Sequence, residues 1–300
     1  MRILDAVRAA AETLEKAGID DSLAGAEILA YHAAALNRMT AFIDNPLISS
    51  RTLSKIRRLT ARRAKGEPVQ YIVGHVEFCG LTIHVGKGVL IPRPETELLV
   101  EEAVKTVKSG LIYVNHEKAD ATDMDSYLTH QSSLSFLDLC TGSGCIALAL
   151  AKEFPGAEAI GTDISQKALR HARKNADANS IVHITFRKGS LFEPLKQGMM
   201  FDLIVSNPPY ITAGEIPELQ REVRDWEPHN ALDGGDDGLD FYREILGKAV
   251  GYLKPDGSII MELGFGQAEA VYVMARKHGL SDAVVIDDFA GIRRILKAKR

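Results

Sequence analysis

Cysteine and long apolar runs are scarce in this sequence, which excludes several classes of protein. The 300 residues contain 3 Cys, at Cys79, Cys140 and Cys145. These form no C-x-x-C pair and no even set, which argues against a disulfide framework and a zinc site. No apolar run approaches the roughly 20 residues of a membrane-spanning helix. We therefore expect a cytoplasmic protein of a reducing compartment, without a membrane partner.

Metal-ligand spacing and an excess of basic charge are also missing. The 9 His include no H-E-x-x-H pair, so we expect no metal. The formal net charge is -4, which argues against a surface that binds nucleic acid as a whole, and we expect no stable nucleic-acid partner. Hydrophobic residues make up 46% of the chain, enough for a sizeable core.

One segment has the opposite charge balance. Residues 51–65 contain seven basic residues and no acidic one. The basic stripe, defined as Arg51, Lys55, Arg58, Arg62 and Lys65, has steps of four and three and shares one face of a predicted helix. Either a solvated charged face or a docking surface for an acidic protein fits this pattern.

The chain divides by its periodicity into three parts. Residues 1–74 carry helical spacing of apolar residues, and we expect a small domain of three helices. The first ends at Gly18, the second begins behind Asp20, Asp21 and Ser22, and the third follows Ser50. Residues 75–94 alternate apolar and polar, which predicts a β-hairpin connector with its turn at Gly86-Lys87-Gly88. Residues 95–300 form the largest domain, in which a helix ends at Gly110 and residues 111–134 form a loop or insertion.

The largest domain alternates strand and helix patterns from about residue 135. Stretches such as "SFLDLC", "CIALALAKEF", "AEAIGTDI" and "SQKALRHARKNA" follow one another. This order is typical of βαβ units and of an α/β fold with a parallel sheet covered on both faces. The end, "AVVIDDFAGIRRILKAK", predicts two strands joined by a short turn, which makes the last strand antiparallel.

A glycine loop and an acidic residue predict a nucleoside pocket. In "LDLCTGSGCIALALA", Gly142 and Gly144 let the backbone approach a ligand closely. Asp163 ends the next strand, where a carboxylate can accept hydrogen bonds from ribose hydroxyls. The dinucleotide fingerprint is incomplete because Ala147 takes its third position, and no Walker A loop occurs. S-adenosyl-L-methionine needs the carboxylate without a pyrophosphate cradle. Leu191 or Phe192, just past the next strand, could flank its adenine.

The stretch "FDLIVSNPPY" ends a strand with two hydrogen-bond acceptors. They are the side-chain oxygen of Asn207 and the backbone carbonyl of Pro208. Two convergent acceptors suit a planar NH₂ group, and Tyr210 can cover its flat face. Drawing both N–H groups toward acceptors raises electron density on a poorly nucleophilic nitrogen. These residues alone leave open whether that nitrogen belongs to an amide or to a nucleic-acid base.

Five stretches resemble the HemK/PrmC-type methyltransferase family. They are "GEPVQYIVGHVEFCGL", "VLIPRPETE", "DLCTGSG", "SNPPY" and "EPHNALDGGDDGLDFYREI". The specific parts are "IPRPETE" and "ALDGGDDGLDFYR", since N-P-P-Y also fits adenine-N6 and cytosine-N4 methyltransferases. The resemblance implies a class I methyltransferase with a seven-stranded, mostly parallel sheet and an N-terminal helical domain for docking the substrate. It implies N5 methylation of the glutamine in the Gly-Gly-Gln motif of peptide chain release factors, its protein partners.

The resemblance also implies which residues form the site. The S-adenosyl-L-methionine pocket, whose product is S-adenosylhomocysteine, is assigned to Cys140, Thr141, Gly142, Ser143, Gly144, Asp163, Leu191 and Asn207. The glutamine is assigned to Asn207, Pro208, Pro209 and Tyr210, of which Asn207, Pro208 and Tyr210 are the catalytic candidates. Two rival functions remain beside this one: methylation of a nucleic-acid amine, and non-catalytic binding of the cofactor.

Overall fold

The computed structural model describes residues 1–118 and 134–300, so most of the predicted insertion at 111–134 lies outside the described residues. The described residues form two compact units. The helical unit contains Met1–His75, Val85–Lys87 and Leu219–Glu227, and the sheet unit contains Val76–His84, Gly88–Glu218 and Pro228–Arg300. The domain boundaries after residues 74 and 94 stay a prediction.

The helical unit is built from six helices. They are α1 (Ile3–Lys16), α2 (Ser22–Ala34), α3 (Arg38–Asp44), α4 (Ser50–Arg63), α5 (Val69–Val73) and the short α9 (Arg221–Arg224). Ile3 and Leu14 from α1 pack with Ile56 from α4 in its core. The sequence pattern predicted α1, α2 and α4. It missed α3 and α5, because helices of 7 and 5 residues are too short for a clear helical period.

Caps and ion pairs explain where this unit's helices begin and join. The side chain of Ser49 accepts a hydrogen bond from the N–H of Thr52 at 3.1 Å, which caps α4. Buried Arg63, at the end of α4, forms an ion pair with Glu222 of α9. That pair fixes residues 219–227 within the helical unit, although they lie far along the chain.

The predicted hairpin exists, but its predicted turn was wrong. The strands are β1 (His75–Phe78) and β2 (Leu81–His84), so the turn lies at Cys79 and Gly80 and not at residues 86–88. Cys79 and Gly80 both have positive φ, 47° and 65°, as a type I′ turn requires. Cysteine at the first of these positions is an unusual turn residue, and the Gly-Lys-Gly sequence gave a stronger but misleading signal.

A seven-stranded sheet forms the centre of the sheet unit, as predicted. Its strands lie in the order β5-β4-β3-β6-β7-β9-β8. They are β3 (Ser135–Leu139), β4 (Glu158–Asp163), β5 (Ile184–Lys188), β6 (Phe201–Ser206), β7 (Leu253–Glu262), β8 (Ser281–Asp287) and β9 (Arg293–Lys299). The pairs from β5 to β7 are parallel, and β9 is antiparallel to both of its neighbours. The last strand is therefore antiparallel, which confirms the prediction.

In the described part of the sheet unit, five α-helices accompany this sheet. They are α6 (Thr96–Lys118), α7 (Cys145–Glu153), α8 (Gln166–Ala178), α10 (Asp240–Tyr252) and α11 (Ala268–Lys277). The prediction that α6 ends at Gly110 was wrong, since the helix continues to Lys118. A glycine inside a helix costs only about 1 kcal/mol relative to alanine, so it does not end a helix by itself.

The strand order creates a crevice at the carboxyl ends of the central strands. The chain runs from β3 outward through β4 to β5, and then returns to the other side of β3 with β6 and β7. Ligands of open α/β sheets bind at such a reversal, beyond the carboxyl ends of the strands. Leu139, Asp163 and Ser206 end the three strands that meet there. Within residues 1–118 and 134–300, no helix is long and apolar enough to cross a bilayer.

Candidate active site

A pocket lies where the strand order reverses. It contains about 1100 Å³ of empty space, part of which is open solvent. Eight of the predicted site residues line it: Cys140, Thr141, Gly142, Ser143, Asp163, Leu191, Asn207 and Pro209. Three others, Gly144, Pro208 and Tyr210, are outside this lining. The fold thus gathers most of the candidate residues from four separate segments.

The glycine loop is held close to the end of β4. The N–H of Thr141 donates to the carbonyl of Thr162 at 3.0 Å, and the N–H of Gly142 donates to Oδ2 of Asp163 at 2.9 Å. Gly144 has a different environment, because an added Cβ would lie 3.1 Å from the Cβ of Ala172 and 3.2 Å from the ring of Phe186. Gly144 therefore allows close packing beneath the loop and does not line the pocket.

Asp163 keeps part of its hydrogen-bonding capacity free. Its Oδ2 accepts from Gly142, and its Oδ1 accepts from the N–H of Ser165 at 2.7 Å. Each carboxylate oxygen has two lone pairs, so one acceptor position remains on each oxygen. Burial raises the pKa of Asp163, while the two backbone N–H groups lower it. The carboxyl can therefore accept hydrogen bonds from two neighbouring hydroxyls of a ligand.

A second carboxyl supports the loop from below. Asp138, on β3, is fully buried, and its Oδ2 accepts a hydrogen bond from the hydroxyl of Thr141 at 2.5 Å. Burial raises the pKa of Asp138 to about 7, against the opposing effect of the Thr141 hydrogen bond. A backbone hydrogen bond from Ala147 also acts to lower its pKa. Asp138 therefore carries a charge at neutral pH only at a cost in stability.

The structure distinguishes Leu191 from Phe192. Leu191 has a positive φ of 45° and lines the pocket. Phe192 stacks on Tyr252 with ring centroids 4.5 Å apart and belongs to the core between the sheet and its helices. Another apolar residue, Ile164, also lines the pocket and is 60% exposed. Leu191 and Ile164 are thus among the aliphatic side chains in place to contact a flat ring, with Val89, Leu90 and Ile146 also in the lining.

Asn207 is oriented by a hydrogen bond that it donates to α6. Its Nδ2 donates to the hydroxyl oxygen of Thr96 at 3.2 Å. Ser206, just before it, donates from its hydroxyl to the carbonyl of Leu139 at 2.9 Å and ties β6 to β3. With its nitrogen engaged, the acceptor oxygen of Asn207 is left for a ligand. Pro208 is buried, and a proline lacks the N–H that could compete for acceptors.

Tyr210 is held at both ends. Its hydroxyl donates to Oε1 of Glu262 at 3.3 Å, and its carbonyl accepts from Nε2 of Gln267 at 2.8 Å. Burial raises the pKa of the Tyr210 hydroxyl above its ordinary value, and the charge of Glu262 adds to this. Tyr210 therefore stays neutral across the physiological range and is held in one position next to the pocket lining.

The "ALDGGDDG" segment packs directly against Tyr210. Ile211 forms a parallel bridge with Asp233, and its N–H donates to the carbonyl of Leu232 at 2.9 Å. An added Cβ at Gly234 would lie 2.8 Å from the Cα of Tyr210, and one at Gly238 would lie 2.4 Å from its carbonyl oxygen. Only glycine permits this approach, which explains the glycines of the segment.

Three residues outside the predicted site, Thr96, Glu262 and Gln267, hold its key side chains. Thr96 is the first residue of α6, and it lines the pocket. Glu262 ends β7, and its Oε2 accepts from the Thr96 hydroxyl at 2.7 Å. An acidic residue at the carboxyl end of a buried strand is the same signal that identified Asp163, and it could have revealed Glu262. Gln267 lies in a loop with no comparable signal.

Glu262 itself is almost fully enclosed. It is 2% exposed, and its carbonyl accepts from the hydroxyl of buried Tyr242 at 3.0 Å. Burial raises the pKa of Glu262, whereas the hydrogen bonds from Thr96 and Tyr210 and the charge of Arg294 lower it. Burial has the larger effect, so the pKa of Glu262 is raised overall, and the two hydroxyl donors and the nearby cation offset only part of the cost of burying the charge.

The members of the basic stripe have different environments. Arg51, Lys55 and Arg58 line one surface depression of the helical unit. Arg62 instead donates from Nε to Oε2 of Glu67 at 2.7 Å. Arg51 and Arg58 on α4 are exposed, as is Lys65 just beyond the end of the helix. In the described part of the chain, no cluster of three or more His, Cys, Asp or Glu side chains could hold a metal ion.

Comparison with known proteins places this geometry in a family. Residues 5–74 match the PrmC N-terminal domain, and residues 121–222 match the methyltransferase small domain. The catalytic domain of hMettl16, solved with a MAT2A 3'UTR hairpin, superposes with a TM-score of 0.52 at 18% identity, covering 80% of this chain and 81% of that one. At that identity the likeness shows the fold alone.

Relatives of known name match over nearly the whole chain. A release factor glutamine methyltransferase of Thermodesulfovibrio yellowstonii is 39% identical over 99% of this chain and 97% of its own. One of Geobacter sulfurreducens is 42% identical over 94% of this chain and 91% of its own. The expected resemblance and class I fold are thereby confirmed, and the chain belongs to the release factor glutamine methyltransferase family.

Proposed function

We propose that this chain is an S-adenosyl-L-methionine-dependent enzyme that methylates the side-chain amide nitrogen, N5, of the glutamine in the Gly-Gly-Gln motif of peptide chain release factors. The observation that carries this proposal is the orientation of Asn207. Its Nδ2 is engaged by Thr96 at 3.2 Å, so its oxygen is the acceptor available in the pocket. The substrate class rests on the names of the full-length relatives.

The pocket residues fit S-adenosyl-L-methionine. Asp163 keeps an acceptor position on each carboxylate oxygen, which suits the two hydroxyls of a ribose. The loop at 140–144 brings backbone close to the ligand, and Leu191 and Ile164 offer apolar contacts for adenine. The bound cofactor supplies an electrophilic methyl group on a sulfonium. We propose that the cofactor binds to those predicted cofactor residues that line the pocket. Gly144 does not line the pocket and supports the loop by close packing.

The chain's own residues supply positioning and polarity. The side-chain oxygen of Asn207 and the carbonyl of Pro208 accept hydrogen bonds from the two N–H groups of the substrate amide. These hydrogen bonds raise the electron density on the amide nitrogen, whose lone pair is otherwise delocalised into its carbonyl. Tyr210 limits the amide to one plane. Asn207, Pro208 and Tyr210 are the catalytic residues of the proposal, and Pro209 stiffens the turn. The proton leaves after methyl transfer, without a dedicated general base.

The experiment follows label from S-adenosyl-L-methionine into defined acceptors. Purified chain is incubated with release factor, with the same factor carrying a Gln→Ala change in its Gly-Gly-Gln motif, or with duplex DNA. We expect label in the first acceptor alone, and mass spectrometry should place it on the glutamine side chain. Label in DNA alone would overturn the proposal in favour of a nucleic-acid amine. Cofactor binding without label in any acceptor would support the non-catalytic module.

A further inference from the structure

A chain of hydrogen bonds connects the pocket to a buried carboxylate. Asn207 donates to Thr96 at 3.2 Å, and Thr96 donates to Oε2 of Glu262 at 2.7 Å. The other oxygen of Glu262 accepts from Tyr210 at 3.3 Å. Thr96 and Glu262 are each 2% exposed, so bulk water does not compete for these bonds. One carboxylate therefore holds two separate sides of the N-P-P-Y turn.

Glu262 fixes the donor-to-acceptor direction of these hydrogen bonds. Thr96 has a single hydroxyl hydrogen, which it donates to Oε2 of Glu262. The lone pairs of Thr96 then face Asn207 and can accept only from its NH₂ group. An asparagine side chain turned by 180° would place two acceptors against each other, which is repulsive and leaves a buried oxygen unpaired. Glu262 thus excludes the turned state.

We propose that Thr96 and Glu262 are positioning residues that fix the amide of Asn207 with its oxygen toward the substrate. The inference rests on the proposed function, and it adds the source of the pocket's preference for a substrate NH₂ group over a carboxylate. Without Thr96, Asn207 can present either its oxygen or its nitrogen. The turned form offers donors to the substrate, which suit the carboxylate of a glutamate better than the amide of a glutamine.

The test compares Thr96→Val, which removes the hydroxyl at similar volume, with Thr96→Ser, which keeps it. Thr60→Val serves as the matched control. Thr60 is also buried and donates to the carbonyl of Ile56 at 3.0 Å in the helical unit, and it is not a lining residue of the pocket. All variants are assayed for kcat and KM with release factor, for the Kd of S-adenosylhomocysteine, and for thermal unfolding.

We expect Thr96→Val to lower kcat about tenfold or more, because the acceptor is misoriented for part of the time. Thr96→Ser should restore kcat to within about threefold of the unchanged protein, and Thr60→Val should leave it unchanged apart from any loss of stability. Cofactor affinity should change little in Thr96→Val. Equal kcat values for the Val and Ser variants would overturn the proposal.

A second measurement separates orientation from stability. The Kd of release factor is compared with that of its Gln→Glu variant, in the unchanged protein and in Thr96→Val. We expect the unchanged protein to prefer glutamine, and this ratio to shrink toward one in Thr96→Val. A ratio that is the same in both proteins would contradict the inference, whereas absence of methyl transfer by the unchanged protein would contradict the proposed function instead.

Discussion

Gly238 lies against the backbone of Tyr210, so that a Cβ added at Gly238 would stand 2.4 Å from the Tyr210 carbonyl oxygen. Gly238 also has a positive φ of 72°. We expect Gly238→Ala to displace Tyr210 and to cost about 2 to 4 kcal/mol of unfolding free energy, from backbone strain plus overpacking. Urea unfolding and kcat measure the two effects.

The control for this change is Gly291→Ala. Gly291 has a similar φ of 76° but no atom within 4 Å of the added Cβ, so it isolates the backbone strain of about 1 kcal/mol. Equal destabilisation in the two variants, with kcat retained in both, would show that the contact with Tyr210 does not matter.

Loss of the Asn207 side chain should separate catalysis from cofactor binding. Asn207→Ala removes the acceptor for the substrate amide, and we expect kcat to fall by about 10² to 10³, as for other preorganised polar groups. The Kd of S-adenosylhomocysteine, measured by calorimetry, should change much less. Equal losses in kcat and in affinity would instead assign Asn207 chiefly to the cofactor.

Asp163→Asn should have the opposite effect. The variant loses the charge of a carboxylate that accepts from Gly142 and Ser165. Hydrogen bonds to a charged group contribute about 1.5 to 3 kcal/mol, so we expect the Kd of S-adenosyl-L-methionine to rise by about 10- to 100-fold. At saturating cofactor kcat should stay within about threefold, because Asp163 does not hold the amide. A fall in kcat with unchanged Kd would contradict the assignment.

Charge reversal at the start of the basic stripe should weaken docking of the protein substrate. In the combined variant Arg51→Glu and Arg58→Glu, we expect a higher KM for whole release factor and a weaker dependence of KM on salt. Arg57→Glu, on the same helix but outside the depression that Arg51 and Arg58 line, is the matched control. An unchanged KM in the combined variant would end the docking hypothesis.

The pH dependence of the unfolding free energy should reveal the titration of the buried Asp138 carboxyl. Burial raises the pKa of Asp138 to about 7, so the folded state binds more protons than the unfolded state between about pH 4 and 7. Stability from this group is present at low pH and is lost as the pH rises through 7. Asp138→Asn should therefore gain stability relative to the unchanged protein over this range, by up to about 4 kcal/mol.

Urea unfolding at a series of pH values measures this difference. Asp177→Asn, an exposed change on α8, serves as the control. Stability curves of Asp138→Asn and the unchanged protein that run parallel from pH 4 to 8 would show that Asp138 does not titrate in this range.

Local signals predicted the fold and most of the pocket. Asp163 and Asn207 were chosen as candidates because Asp163 ends a buried strand and Asn207 directly follows one. Chain direction and strand alternation suffice to place such side chains. The turn at Cys79 and the continuation of α6 through Gly110 were not predicted. A turn residue and a glycine have weak local preferences, and the rest of the fold overrides them. The roles of Thr96 and Gln267 at the site were not predicted for another reason. Their roles arise from contacts across the fold, and no local pattern marks such contacts.

The hydrogen-bond chain from Asn207 to Glu262 joins residues that are 111 and 166 positions apart in the sequence. Such distant contacts form only when the strands that carry them are all in place, because closing long loops has an entropic cost that local structure does not offset. In a refolding experiment, the return of methyl transfer should therefore lag behind the return of circular dichroism. The recovery of methyl transfer would then measure when the sheet is completely formed.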